Sequence, residues 1–370
     1  MTDTTTAAKG IFVDDEDKQF AVHLTTRGVL EFDYHAVLPI TQQALAIREA
    51  TPSVVALDYR LDEVTPNVAE GHTFKGSGLA QLLRDGAISD PAQDFAIVLV
   101  SNEGKLAAYY APDRTAHDLF DLVYAKETVT GQRERVRLEL RALSNGYLAL
   151  REMALAYDPV VLLAAPEAQH DRIRTQEITT AISSASAPHL VAKFVLNAII
   201  RRPGPLVDDH DAAALLGVEA ASFEALIPAL TEAGFRYAGL FADGWQRWWA
   251  SDVEEWGEAL LGGPLLDLTA QQRAEALSAR TDIALQPARS PWNDSPDEYV
   301  SFACCCCRRP TELRHSLAVF EAKAPRFATR RRVCWDCIQT DRYLTDGHPW
   351  QIDESDASLV AGIMTRPRQA

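Results

Sequence analysis

Short apolar runs alternate with segments of helical spacing over the first 130 residues of the chain. Four of the runs occupy residues 10–13, 54–57, 97–100 and 122–123. Short, fully apolar runs separated by helical segments are typical of the buried strands of a parallel sheet. The pattern predicts an α/β domain with an open, doubly wound parallel sheet over residues 1–130.

The pattern changes after Gly131, where the strand-like runs stop and longer segments with helical apolar spacing begin. Residues 132–157 predict one long helix, and residues 189–201 predict a buried helix. We expect a mainly helical domain over residues 131–286. Its long helix either packs on the next domain or transmits a change to a partner.

The helical domain contains a helix-turn-helix-like unit. Residues 211–218 predict the first helix and its turn, residues 220–230 the second helix, and residues 234–241 a wing strand. Glu219 and Glu224 belong to the second helix region, which has no Lys or Arg, whereas a groove-reading helix needs cations for the phosphates. The unit is therefore predicted to contact protein or to be structural, with DNA recognition as the alternative.

Four tryptophans follow this unit at spacings that place them on about one helical face: Trp245, Trp248, Trp249 and Trp256. Because tryptophan buries a large area, this spacing predicts a core cluster, with an exposed interface anchor as the alternative.

All six cysteines lie after residue 303, in two groups. Two Cys-x-x-Cys pairs with a connecting stretch supply four thiolates for a tetrahedral zinc ion: Cys304, Cys307, Cys334 and Cys337. Cys305 and Cys306 are surplus. We expect residues 287–370 to form a linker (287–299) and a zinc-finger module with a helix over 338–344. Zinc in this module is predicted to be structural, because a closed site of four thiolates leaves no position for water.

Charge and hydropathy exclude some classes of function. The chain has 370 residues and a formal net charge of −16, which disfavours broad contact with nucleic acid or anionic lipid. No apolar run reaches the length of a spanning helix, so no membrane contact and a cytoplasmic location are expected. Residues 308–332 form one concentrated basic stretch, which could bind phosphates or an acidic partner. The simpler interpretation is a solvated charged loop. Its basic residues are Arg308, Arg309, Arg314, Lys323, Arg326, Arg330, Arg331 and Arg332.

Polar side chains follow the apolar runs of the first domain, at the points where the predicted strands end: Asp14, Asp15, Asp58, Ser101 and Lys126. Ligands of open parallel sheets bind beyond the carboxyl ends of the strands, where these groups can converge. Clustered carboxylates suit Mg²⁺, and an ammonium and a hydroxyl suit a phosphoryl group.

With these residues, the chain resembles the receiver domain of two-component response regulators over about residues 9 to 130. The resemblance rests on three segments. Residues 13–16 lie at the end of the first strand, residues 57–62 contain Asp58, and residues 78–84 correspond to the family's third helix. It implies a flavodoxin-like fold with Asp58 as phosphoacceptor, Asp14 and Asp15 as the acidic pair that binds Mg²⁺ with Asp58, and a coordinating carbonyl at Arg60. Ser101 and Lys126 occupy the family's Ser/Thr and Lys positions.

Three features depart from the family pattern. Residues 63–76 lengthen the stretch between Asp58 and Ser101. Glu127 follows Lys126 where the family usually has proline. The switch aromatic of the fifth strand falls at Val123, and Tyr124 is one place off, on the opposite face of a strand.

The predicted function is a phosphorelay switch. A histidine kinase or a small phosphodonor supplies the phosphoryl group to Asp58, and the helical and zinc-bearing regions contact a downstream protein. The chain is not expected to be a turnover enzyme, because it would catalyse only its own phosphorylation and dephosphorylation. The alternatives are a phosphorylation-controlled DNA-binding transcription factor and a non-phosphorylated pseudo-receiver scaffold.

Overall fold

The computed structural model describes residues 7–64, 66, 68–69, 72–322, 324–345 and 350–367. Some predicted positions lie outside the described residues, namely Lys323 of the basic stretch and Thr65, Asn67, Glu70 and Gly71 of the 63–76 segment. The chain divides into two compact units. The first contains the residues up to Leu196 together with Ala238–Trp245, and the second contains Asn197–Tyr237 and the residues from Gln246 onward. This division does not coincide with the predicted boundaries at residues 130 and 286.

The first unit is built on one parallel sheet. Its strands are β1 (Ala8–Val13), β2 (Leu30–His35), β3 (Val54–Leu57), β4 (Ala96–Ser101) and β5 (Leu122–Ala125). They lie in the order β2-β1-β3-β4-β5, and each neighbouring pair is parallel. This is the flavodoxin-like order of doubly wound sheets, so the predicted fold class is confirmed. The sequence pattern did not identify β2, whose residues alternate between buried and exposed at the edge of the sheet.

The strand register brings the carboxyl ends of the central strands to one edge. Val13 lies beside Leu57, and Leu57 lies beside Leu99. β3 and β4 are buried along their whole length because helices cover both faces of the sheet. The residues that follow Val13 and Leu57 therefore emerge at the same edge.

The helices of the first unit are α1 (Ala21–Leu24), α2 (Ile40–Glu49), α3 (Gly76–Ser89), α4 (Glu103–Lys105), α5 (Lys126–Gly131), α6 (Arg133–Glu152), α7 (Pro159–Leu162), α8 (His170–Ile173), α9 (Gln176–Ser183) and α10 (Pro188–Phe194). The segment 78–84, predicted as the third helix, lies within α3. The predicted helix over 132–157 is too long, since α6 ends at Glu152. Ala154 and Leu155 have φ angles of 46° and 68°, a left-handed backbone that cannot continue a helix.

A buried charged network explains why α6 and α10 belong to the sheet unit. Arg84 on α3 donates to Asp94 and Asp121, at 3.1 and 2.8 Å. Tyr147 on α6 donates to Asp121 at 2.7 Å, and the backbone N–H of His189 on α10 donates to Asp94 at 2.7 Å. These contacts bind the segment after Gly131 to the sheet, where hydrophobic spacing alone suggested a separate domain.

The second unit combines short strands and helices: β6 (Leu206–Val207), α11 (Asp209–Leu216), α12 (Ala220–Phe223), α13 (Ile227–Glu232), β7 (Trp248–Trp249), α14 (Ala250–Leu261), α15 (Ala270–Thr281), β8 (Val300–Ala303), β9 (Pro310–Glu312), β10 (Ser316–Ala318), β11 (Arg332–Cys334), α16 (Trp335–Gln339), α17 (Arg342–Thr345) and α18 (Ala357–Met364). The predicted buried helix over 189–201 consists of α10 and a π-helical segment, Val195–Ile200, which spans the division between the units.

The helix-turn-helix-like prediction is only partly correct. The first helix is present as α11, and Gly217 ends it with a φ of 72°, which suits glycine. The predicted second helix over 220–230 is two short helices, α12 and α13, with Pro228 in the first turn of α13. The predicted wing strand over 234–241 is wrong, because this segment forms only an isolated bridge between Arg236 and Trp248.

The tryptophans do not share a helical face, so that prediction is wrong. Trp248 and Trp249 form β7, where successive side chains point to opposite faces, and Trp256 lies on α14. Trp245 belongs to the first unit. The core prediction is confirmed for Trp245, Trp248 and Trp249, which are all buried.

The C-terminal part corrects two predictions. The predicted linker over 287–299 is not an exposed connection, since Ala288, Ser290 and Glu298 are buried. The predicted helix over 338–344 is interrupted between α16 and α17 at Asp341, whose φ is 53°. Among the described residues, every helix is too short or too polar to cross a lipid bilayer.

Candidate functional site

The predicted site residues of the first unit meet at the carboxyl edge of the sheet. Asp14 and Asp15 follow β1, and Asp58 follows β3. Ser101 is the last residue of β4, and Lys126 is the first residue of α5, directly after β5. The structure therefore brings together groups that are separated by more than 100 residues along the chain.

Asp14 is fully buried and both of its carboxylate oxygens have partners. Oδ1 accepts hydrogen bonds from the backbone N–H groups of Glu16 and Asp17, each at 2.8 Å. Oδ2 accepts one from Nζ of Lys126 at 2.6 Å. This charge-assisted hydrogen bond fixes the ammonium group at the mouth of the site.

Asp58 is the most perturbed carboxylate of the site. It is only 1% exposed, and burial raises its pKa to about 6, with a further contribution from the charge of Asp14. The ammonium groups of Lys126 and Lys105 oppose this rise. Oδ2 accepts a hydrogen bond from the backbone N–H of Arg60 at 3.2 Å, whereas Oδ1 has no partner among the described residues.

Asp15 holds the beginning of the 63–76 segment. Its Oδ2 accepts hydrogen bonds from the backbone N–H groups of Glu63 and Val64, at 2.9 and 2.7 Å. Burial raises the pKa of Asp15, and these two hydrogen bonds oppose the rise. Oδ1 is buried and has no partner among the described residues.

These carboxylates fit the Mg²⁺ ion that the resemblance implies. Oδ1 of Asp15 and Oδ1 of Asp58 are buried oxygens without a partner in the described part of the chain, and leaving such atoms unsatisfied is costly. Mg²⁺ takes hard oxygen ligands, usually one or two carboxylates together with water. Asp14 differs from the other two, because both of its oxygens already accept hydrogen bonds.

Ser101 is buried beside Asp58. Its Oγ has no hydrogen-bond partner among the described residues, although the hydroxyl lies close enough to Asp58 to favour the ionised carboxylate. Ser101 therefore supplies an uncommitted donor and acceptor next to Asp58.

Sequence reasoning missed Lys105, four residues after Ser101. Its Nζ lies 2.9 Å from a carboxylate oxygen of Glu16 and 4.0 Å from Oδ2 of Asp58, and it also pairs with Glu63. Although burial opposes its charge, the hydrogen bonds to Glu63 and Glu16 raise the pKa of Lys105. The available signal was a second lysine near a predicted strand end, which is too common to be specific.

Gly76 allows the 63–76 segment to return to the site. Its backbone N–H donates to the carbonyl of Tyr59 at 2.8 Å. A Cβ at this position would lie 2.1 Å from the carbonyl oxygen of Asp58, closer than atoms can approach. α3 therefore begins directly against the strand that carries Asp58.

The fifth strand lacks an aromatic residue at the family's switch position. Val123 is 37% exposed, whereas Tyr124 is buried on the opposite face and its hydroxyl donates to Glu139 at 2.7 Å. This tyrosine ties β5 to α6.

The second unit contains the predicted cysteine cluster. The Sγ atoms of Cys304, Cys307, Cys334 and Cys337 all lie within 4.8 Å of one another. The Cys304–Cys337 and Cys307–Cys334 separations are 3.9 and 3.7 Å. Tetrahedral zinc with Zn–S bonds of about 2.3 Å places its sulfur atoms about 3.8 Å apart, so the four thiols fit this ion. Cys305 is not part of this group.

A second potential group of ligands lies in the same unit. Donor atoms of Glu298, Glu312 and His315 lie within 4.8 Å of one another. One oxygen of Glu298 accepts from Arg314, and one oxygen of Glu312 accepts from Ser290 at 2.7 Å. This set offers fewer uncommitted donors than the four cysteines.

The basic stretch is not a uniformly solvated loop. Arg308 pairs with Asp208 and Asp211, and Arg331 lies 3.3 Å from a carboxylate oxygen of Glu321. Arg309 and Arg330 are exposed.

Comparisons with known proteins find only low similarity. No protein-family model and no curated protein matches the chain. The structure resembles the response regulator LqsR of Legionella pneumophila, with 13% identity, a TM-score of 0.29, and coverage of 40% of this chain and 48% of LqsR. The chemotaxis response regulator CheY4 of Vibrio cholerae is 16% identical with a TM-score of 0.24, and the match covers 35% of this chain and 99% of CheY4. NtrX of Brucella abortus is 14% identical with a TM-score of 0.28, and the match covers 65% of this chain and 50% of NtrX.

The chain thus spans about half of LqsR and of NtrX and nearly all of CheY4. At these scores the fold assignment rests on the strand order and register. By that order the sheet of the first unit is a flavodoxin-like, doubly wound α/β sheet.

Proposed function

We propose that the first unit accepts a phosphoryl group on Asp58 in the presence of Mg²⁺ and acts as the input of a phosphorelay switch. One observation carries the proposal: Oδ1 of the buried Asp58 is uncommitted, in a site that also contains the uncommitted Oδ1 of Asp15, the Ser101 hydroxyl and the Lys126 ammonium. A structural carboxylate of this burial normally has partners for both oxygens.

In the proposed reaction, the Asp58 carboxylate attacks the phosphorus of a phosphohistidine or an acyl phosphate through one oxygen, and its other oxygen is left for the metal. A P–O bond to Asp58 forms as the bond to the donor breaks, and the donor's imidazole or carboxylate leaves with the electron pair. Bound Mg²⁺ supplies positive charge against the phosphoryl oxygens. Asp15 and Asp58 are the residues that would hold it.

The neighbouring side chains have distinct roles in this proposal. Lys126 contributes positive charge at the attached phosphoryl group, and the Ser101 hydroxyl donates a hydrogen bond to one of its oxygens. Arg60 orients Asp58 through its backbone N–H. The reaction occurs once for each phosphorylation cycle, so the protein is a switch and not a turnover enzyme.

The output is proposed to be a protein–protein contact of the helical and zinc-binding regions, in the cytoplasm, with a histidine kinase upstream. Zinc bound by the four cysteines would staple the small C-terminal module, whose own core is limited.

One observation favours a second candidate, a pseudo-receiver scaffold that is not phosphorylated. The Nζ of Lys105 lies 4.0 Å from Asp58, so a fixed ammonium already compensates part of the carboxylate charge. Phosphorylation and scaffold function differ in whether Asp58 reacts.

Intact-mass measurement after incubation with acetyl phosphate and Mg²⁺ distinguishes the two. The proposal expects the mass of one phosphoryl group in the wild type and in Asp85→Asn, which changes an exposed aspartate of α3, and none in Asp58→Asn. An unmodified wild type, with folding verified by circular dichroism, would favour the scaffold.

A further inference from the structure

The second unit contains a cavity of about 180 Å³ with an unusual lining. Seven of its sixteen lining residues are arginines: Arg201, Arg202, Arg247, Arg308, Arg330, Arg331 and Arg332. We refer to it as the arginine cavity. Such a concentration contrasts with the net charge of −16 of the whole chain.

Carboxylates compensate only some of these cations. Asp208 and Asp211 pair with Arg308. Glu321 pairs with Arg202 and Arg331. Among the described residues, no carboxylate lies within ion-pair distance of four of the arginines: Arg201, Arg247, Arg330 and Arg332.

Two of the arginines are buried in a way that favours an added anion. Arg247 donates to the backbone carbonyls of Ile200 and Gln246, at 2.6 and 2.7 Å, and burial lowers its pKa. Arg202 is only 9% exposed, and its Nε has no hydrogen-bond partner in the described part of the chain. Arg247 thus has hydrogen bonds but no ion pair, and Arg202 has an ion pair but one buried N–H without an acceptor. Both situations are costly, and an anion in the cavity would relieve that cost.

Two aromatic side chains complete the lining. The guanidinium of Arg331 lies 5.3 Å from the ring centre of Trp350, and that of Arg332 lies 5.9 Å from the ring centre of Phe302. Stacked arginines present their N–H groups in a fixed orientation, which suits the bidentate recognition of phosphate oxygens.

We propose that the arginine cavity binds a pyrophosphate group, either as the free anion or as part of a nucleoside diphosphate. Seven guanidinium groups and the three carboxylates that pair with them, Asp208, Asp211 and Glu321, leave an excess of about four positive charges, which matches an anion with three or four negative charges. The volume is below the 300 to 1,000 Å³ of typical pockets for drug-sized ligands, so the cavity accommodates the diphosphate and leaves a nucleoside outside it. This site is separate from the phosphorylation proposed at Asp58.

Duplex DNA is a less suitable ligand for this surface. A nucleic-acid surface presents cations along the outside of a fold, where phosphates of a long duplex can reach them. Here the arginines converge on a concave space, and Arg202 is buried within it.

Isothermal titration calorimetry of the full chain, titrated with inorganic pyrophosphate and separately with ADP, tests the proposal at 150 mM salt. We expect saturable binding of one anion per chain. Comparable affinities would identify the free anion as sufficient, and tighter binding of ADP would identify a nucleoside diphosphate as the ligand.

Two exposed arginines provide matched variants. Arg330 lines the cavity and Arg309 does not, and neither side chain has a hydrogen bond or ion pair among the described residues. Arg330→Ala is therefore expected to fold normally and to weaken pyrophosphate binding at least tenfold, whereas Arg309→Ala should bind as the wild type does.

Three results would overturn the proposal. They are no binding of either ligand at millimolar concentration, equal effects of the two arginine substitutions, and equal binding of sulfate, which would indicate a general attraction of anions. A preference for a DNA duplex over pyrophosphate at the same salt concentration would assign the surface to nucleic acid instead.

Discussion

The Nζ of Lys126 lies 2.6 Å from Oδ2 of Asp14, joining the start of α5 to the end of β1 across 112 residues. Asp14 is buried, and the side chain of Lys126 is 14% exposed. The pair therefore has two consequences, because it positions the ammonium group for the proposed chemistry and also satisfies a buried charge.

Removing this ammonium should destabilise the first unit. Lys126→Met leaves the Asp14 carboxylate buried without its cation, and such a loss typically costs about 3 kcal/mol or more. Urea unfolding should show this as a lower midpoint. The control is Lys9→Met, whose partner Asp33 is exposed, and an equal loss of stability in both variants would contradict the structural role given to the Lys126–Asp14 pair.

The raised pKa of Asp58 predicts a pH-dependent stability difference. Burial raises this pKa from 3.8 to about 6, so ionisation of Asp58 lowers the free energy of unfolding as the pH rises from about 4 to about 6. Asp58→Asn has no charge to ionise. At pH 7.5 the variant should be more stable than the wild type by up to about 3 kcal/mol, and the difference should disappear near pH 4.

Magnesium provides a check on the same residue. If Asp58 is a ligand, Mg²⁺ should raise the melting temperature of the wild type at pH 7.5 through preferential binding to the folded state. The effect should be smaller in Asp58→Asn and unchanged in Asp85→Asn. A Mg²⁺ response of equal size in all three proteins would place the ion elsewhere.

The buried network around Arg84 should be sensitive to acid. Although burial opposes it, the contacts of Asp94 with His189 and Arg84 lower the pKa of this aspartate below 3.8. Its contribution to stability is therefore complete above about pH 4 and is lost as the pH falls through the lowered pKa.

Arg84→Met removes the cation from this network. We expect the free energy of unfolding to fall by about 3 to 5 kcal/mol at neutral pH, because Asp94 and Asp121 remain buried and charged without their cation. The difference in the free energy of unfolding between wild type and variant should become smaller below pH 4, as measured by urea unfolding at several pH values. A gap that is constant down to pH 2 would show that these aspartates do not stabilise the fold through their charge.

Zinc should bind at one ion per chain through the four clustered cysteines. Cys304→Ser removes a ligand and should abolish stoichiometric zinc in purified protein, as measured by elemental analysis, and destabilise the C-terminal module. Cys306→Ser should retain the metal. Loss of zinc in both variants, or full retention in Cys304→Ser, would argue against the proposed ligand set.

Local signals carried the predictions of the strands, the cysteine pairs and the strand-end residues. The apolar runs of β1, β3 and β4 identify buried strands because a sheet covered on both faces needs apolar residues on both. The four cysteines are recognisable because a spacing of three residues lets both members of each pair reach one metal ion. Asp14, Asp15, Asp58, Ser101 and Lys126 follow from their places at strand ends.

Long-range contacts caused the errors. The four tryptophans have the spacing of a helix, but Trp248 and Trp249 lie in a strand, because pairing of β7 with β6 overrides the local pattern. Arg84 is an ordinary residue in the sequence, yet in the fold it pairs with the buried Asp94 and Asp121, contacts that the spacing of residues does not indicate.

The sequence by itself determined the parallel α/β sheet, the order of the acidic and basic groups at its carboxyl edge, and the cysteine pairs, because each depends on neighbours within a few residues. Only the tertiary structure decided which carboxylate oxygens remain uncommitted, that Lys105 approaches Asp58, and that seven arginines surround one cavity. Burial and counter-charge at those groups depend on residues far away in the chain, and the spacing of residues does not encode them.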